Sequence, residues 1–90
     1  MNNGMVHQLA HAFAQRVIRE AGADPQNQIE RIYWLALGRP PLDEERSVGL
    51  NALRKLTKNW AKTSSETAAS KALTTYCHAI VNSAGFLYVD

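Results

Sequence analysis

Cys77 and His78 stand side by side, matching the end of the C-x-x-C-H motif, in which two thioethers hold a porphyrin and the histidine ligates its iron. Thr74 occupies the place of the first cysteine, so the pair reads instead as a small buried thiol beside a helix-surface imidazole. His7 and His11 lie one helical turn apart, a spacing that can chelate a metal. No glutamate intervenes as in H-E-x-x-H and no third ligand is evident, so both read as solvated or partly packed. A nucleophilic Cys77 would need an activating base in an electropositive, exposed setting. Adjacent helix positions point about 100° apart, so His78 does not face it. These residues predict no catalytic site, no cofactor and no metal.

Other side chains invite a binding reading. Arg54, Lys55, Lys58 and Lys62 gather in one stretch and could touch phosphates, but they lack the interleaved aromatics of a nucleic-acid surface and read as a solvated face. Tyr33, Trp34 and Trp60 read as core and rim rather than a ligand cage, and Trp34, Trp60, Phe86 and Tyr88 are the candidates for an interaction face. Arg39 follows Gly38 and precedes two prolines. There it can donate to the end carbonyls of the preceding helix or pair with Glu44 or Glu45, which makes these three residues candidates for a structural clamp.

The elements that position these residues are helical. Val6, Leu9, Ala10, Phe13, Val17 and Ile18 recur at three- and four-residue spacing and predict an amphipathic helix over 5–21. Gly22 suits a left-handed cap, and Asp24-Pro25 supplies an N-cap oxygen and the preset φ of a first helical residue. The second helix, 25–37, turns Ile29, Ile32, Tyr33, Ala36 and Leu37 inward and stops at Gly38, since Arg39-Pro40-Pro41 cannot continue it. Asp43, Glu44 and Glu45 suit the positive end of a third helix over 43–61, whose stripe is Val48, Ala52, Leu53, Leu56 and Trp60. Gly49 weakens it by about 1 kcal/mol relative to alanine unless another backbone packs close. The polar run 63–67 offers serine caps for a fourth helix over 66–82, with Ala69, Ala72, Leu73, Tyr76, Cys77 and Ile80 inward. The apolar tail 84–90 is expected to fold back on the bundle.

Ninety residues, 46% of them apolar and 20% charged, describe one all-α domain, a compact bundle of about four helices. A net charge of +2 with acids scattered among the bases is too mild to predict nucleic acid or an anionic membrane as a partner. A single cysteine excludes an internal disulfide and leaves the redox compartment open. No apolar run approaches the roughly 20 residues of a membrane span, and Met-Asn-Asn-Gly-Met lacks the pattern of a signal peptide, so a soluble chain is expected.

Two blocks then stand out: 32–41, Ile-Tyr-Trp-Leu-Ala-Leu-Gly-Arg-Pro-Pro, followed by Glu44-Glu45, and 77–83, Cys-His-Ala-Ile-Val-Asn-Ser, leading to Phe86-Leu87-Tyr88-Val89-Asp90. Together they resemble the C-terminal end of the planctomycete PSD-one domain, a family of unknown function with a helix ending L-G-R-x-P, a helix opening on paired glutamates, and a closing segment similar to C-H-A-L-L-N-S-N-E-F-L-Y-V-D. The resemblance implies a longer parent protein, commonly exported or in the cell envelope and often carrying a cytochrome c-like haem domain. It brings no catalytic residues. The chain departs from that pattern at Leu42-Asp43, where a serine or threonine is usual, so capping is expected to fall to Asp43. It departs again at Gly85, where a glutamate is usual, so Arg39 is expected to turn to Glu44 or Glu45.

The leading expectation is a non-catalytic helical module that packs against other domains of a larger exported protein, against a protein partner, or against a second copy of itself. One alternative is a nucleic-acid-binding domain that uses the basic end of the third helix. Another is an accessory to a haem or metal redox protein, suggested by His7, His11 and His78.

Overall fold

Glycine, proline and small-residue signals divide the chain into four helices: α1 Asn3–Ala21, α2 Pro25–Leu37, α3 Asp43–Ala61 and α4 Ala68–Ser83. The computed structural model describes residues 3–83 and contains no strand among them. The tail 84–90, with Phe86 and Tyr88 and the expectation that it folds back, lies outside the described residues. The helices pack in a ring, α1 on α2, α2 on α3, α3 on α4 and α4 on α1, with a smaller contact of α2 on α4 across it. Short connections between consecutive helices give this up-and-down order. The most extensive packing is that of α4 against α1 and α3.

The first two boundaries follow local chemistry. Gly22 closes α1 in the left-handed region at φ 79°, donating its N–H to Ile18 O at 2.9 Å. Asp24 caps α2 by accepting the Gln26 N–H at 3.1 Å, with Pro25 in the first turn. The buried Gln28 side chain then reaches back and donates to Gly22 O at 2.8 Å, tying the turn to α2. Gly38 ends α2 at φ 69°, its N–H on Trp34 O at 3.1 Å. A left-handed conformation costs an L-residue about 1–2 kcal/mol, which glycine avoids.

The core is narrow. Val17, Ile29, Ile32, Leu73 and Cys77 are its largest fully buried side chains, and burying a residue of this kind contributes about 1.5–3 kcal/mol. Ala10 and Ala14 on α1 and Ala68 and Ala72 on α4 are also buried. Their small side chains suit a close approach of these two helices.

Several sequence expectations need correction. The first helix begins at Asn3, two residues before its expected start. Leu9 and Leu37 lie exposed on the flanks of their helices because the buried stripes run through Val6-Ala10-Ala14-Val17 and Ile29-Ile32-Tyr33. Val48 is also exposed. Its neighbour Gly49 faces the core, where a Cβ would meet Tyr76 Oη at 2.7 Å and Ile29 Cδ1 at 3.0 Å, and one residue's rotation of about 100° turns Val48 outward. The group pressing on Gly49 is thus a side chain, not a backbone. Leu42, not Asp43, is the N-cap of α3. Having no side-chain acceptor, it supports only the return half of a capping box, in which Glu45 Oε1 accepts the Leu42 N–H at 2.9 Å. Finally, α4 begins at Ala68, not residue 66. Ala68 is the first residue of this stretch to reach the core, whereas Ser65, Glu66 and Thr67 stay exposed, and Ala69, expected to face inward, is exposed as well. Thr67 bonds Ser64 Oγ at 3.0 Å and its carbonyl accepts the first helical N–H, from Lys71, at 2.9 Å.

Candidate functional site

The most closely interconnected polar groups lie where α2 turns into α3. Gly38 reverses the chain, Pro40 and Pro41 stiffen it, and Arg39 meets Glu45 two-on-two: Nη1 to Oε1 at 2.8 Å and Nη2 to Oε2 at 3.0 Å. Such a fork-on-fork pair fixes direction as well as distance. The same guanidinium donates to Pro40 O at 3.0 Å and lies 5.7 Å from the centroid of the Tyr33 ring. Arg39 therefore holds the loop and α3; the carbonyl it meets belongs to Pro40, not to the end of α2. Glu44, the other proposed partner, is exposed and makes no ion pair among the described residues. The Arg39 hydrogen bonds, with the Leu42 N–H second, hold the Glu45 carboxyl down at about 2, and the Arg39 pKa rises in return.

Arg46 adds a second tie that sequence reasoning missed. Its Nη1 donates to Asp43 Oδ1 at 2.8 Å, and its Nη2 to Glu30 Oε1 at 3.1 Å and to Pro41 O at 3.3 Å. Asp43 three residues earlier was the only local signal. The Glu30 partner sits sixteen residues away on another helix, a spacing without a sequence signature.

Around this corner lie four of the six large exposed apolar side chains among the described residues: Trp34 at 53% exposure, Leu37 at 40%, Leu42 at 64% and Val48 at 62%. Trp34 also borders a depression of about 650 Å³ shared with Asn27, Glu30, Arg31 and Leu35. Trp60, paired with it as an interaction candidate, has a different role. It is half-buried, donates its indole N–H to Thr75 Oγ1 at 3.3 Å, and carries Lys71 Nζ 5.2 Å from the ring centroid. It braces α3 against α4.

The residues singled out for chemistry are dispersed. Cys77 is fully buried and burial pushes its thiol up to about 12, the opposite of an activated thiolate. Thr74, in the place of the first haem cysteine, is buried on the same helix and donates to Ser70 O at 3.0 Å. His7 and His11 are exposed, and His78 is half-buried with Nδ1 3.4 Å from Asn82 Nδ2. Among the described residues no three His, Cys, Asp or Glu side chains gather as metal ligands, and no helix is long and apolar enough to cross a membrane.

Fold and site define an all-α four-helix bundle with one rigid, apolar-edged corner. The chain matches no family model, no curated protein and no solved structure.

Proposed function

We propose that this chain is a non-catalytic helical module that docks through the corner at 34–48 onto another domain of a larger protein or onto a partner. The observation that carries it is Trp34, more than half exposed one helical turn from exposed Leu37, on a corner held by the Arg39–Glu45 and Arg46–Glu30 pairs. Tryptophan is the side chain most often found at the energetic centre of interfaces, and an ordered surface loses little entropy on binding. The Gly38-Arg39-Pro40 corner is also the block that resembles the planctomycete PSD-one domain, which supports a parent protein that is exported or in the cell envelope. The deep burial of Cys77 favours a module without chemistry of its own.

Sedimentation equilibrium over a wide concentration range tests the reading, with the chain compared with Trp34→Glu. Self-association that the substitution abolishes is the expected result. A strict monomer whose solubility and surface-dye binding do not change with Trp34→Glu would remove the support for a sticky face at this corner.

A further inference from the structure

At the opposite end of α3 the chain leaves a groove of about 760 Å³ between α3, the start of α2 and the start of α4. Its apolar wall includes Ile18, Leu50, Leu53 and Ala69. A volume of roughly 300–1,000 Å³, mostly apolar with a few placed polar groups, is the usual form of a small-molecule site. Arg54 and Lys58, one turn apart, line the groove on the α3 side.

Among the described residues these cations meet no carboxylate. Each ion pair among the described residues uses Arg16, Arg31, Arg39 or Arg46, and none uses a lysine or Arg54. Among the described residues Arg54 donates to the neutral Asn51 side chain, at 3.0 Å. Lys55 and Lys62 continue the positive charge along the same half of α3. Two carboxylates also border the groove: Asp24, whose Oδ1 is occupied as the cap of α2, and Glu66 in the connector. Of the four cations only Arg54 and Lys58 border the groove itself, two against two, and both stand together on its α3 side.

The geometry points to a binding site for an amphipathic carboxylate, a molecule with one apolar chain and one anionic end, of the long-chain fatty-acid class. The chain lies over Ile18, Leu50 and Leu53, and the carboxylate meets Arg54 and Lys58. The apolar wall excludes a purely ionic ligand such as inorganic phosphate.

The test is calorimetric titration of the 90-residue chain with dodecanoate below its micelle concentration, beside dodecan-1-ol. Dodecanoate is expected to saturate one site and to bind about tenfold more tightly than the alcohol, the effect of one charge-assisted contact. In Arg54→Gln/Lys58→Gln, two exposed changes on an intact helix, that advantage disappears while alcohol binding persists. Ala69→Trp, an exposed position in the groove wall, blocks both ligands. Equal affinity for acid and alcohol, undiminished binding to Ala69→Trp, or no saturation by ~1 mM dodecanoate overturns the site. So does binding to phosphatidylglycerol vesicles without binding of free dodecanoate, which would make the cations a membrane-surface patch. Trp34→Glu leaves dodecanoate binding unchanged, so this site and the docking corner stand or fall separately.

Discussion

The two ends of α3 are built in opposite ways. At its start, every boundary has a dedicated group: a left-handed glycine, two prolines, an Arg39–Glu45 fork and an Arg46 that reaches α2. At its end, α3 runs out through Lys62 in an ordinary right-handed conformation, and the connector holds itself with backbone bonds to Trp60 O and one Thr67–Ser64 contact. Charge follows the same division, with paired arginines and acids at the first end and unpaired Arg54 and lysines at the second. The first corner is held by interactions its own residues make, whereas the second is held by what α3 and α4 bury between them. Satisfied charge thus accompanies the rigid corner and available charge lies beside the groove.

The comparison sharpens first at the core. Ile32, fully buried just before the first corner, should cost about 3 kcal/mol as Ile32→Ala. Leu56→Ala, at a half-buried position nearer the second corner, should cost about half as much in urea unfolding. Equal losses would mean that the core does not distinguish the two ends.

Next come the helix ends. Gly38→Ala forces an L-residue to φ 69° and should destabilise by about 1–2 kcal/mol, whereas Lys62→Ala should change stability by no more than about 0.5 kcal/mol. Thermal melts of the two variants measure the contrast, and a costly Lys62→Ala would break it.

Gly49→Ala has a smaller expected effect because two terms oppose. Alanine gains about 1 kcal/mol of helix propensity, while its Cβ would sit 2.7 Å from Tyr76 Oη, an overpacking that costs about 1–3 kcal/mol. A net loss of about 1 kcal/mol is expected, and it should shrink in a Tyr76→Phe background, where that oxygen is gone.

The smallest effect belongs to Glu45. Its folded pKa, held down at about 2 by Arg39 and the Leu42 N–H, lies below its ordinary value near 4.5. The pair therefore contributes its stability in full above about pH 4.5 and loses it as the pH falls toward 2. Stability of Glu45→Gln followed from pH 6 to 2 should fall less steeply than that of the parent. Identical slopes would mean that the fork does not hold in solution.

Much of this was legible in the residues alone. The all-α class, four helices, the C-terminal end of α1 and both ends of α2 and α3 follow from periodicity, left-handed glycines, Asp24-Pro25 and the double proline, because each acts within a few residues of itself. Arg39 next to Glu44 and Glu45 was legible as a set, since a rigid loop leaves an arginine few acids within reach. Only the tertiary structure chose Glu45, by placing that carboxylate against both the guanidinium and the Leu42 N–H. It alone turned Val48 outward by pressing Tyr76 on Gly49, delayed α4 until Ala68 met the core, joined Arg46 to Glu30 on another helix, and left the groove beside Arg54 and Lys58. Each of these depends on a contact between residues far apart in the chain, where local propensity carries no information about the partner.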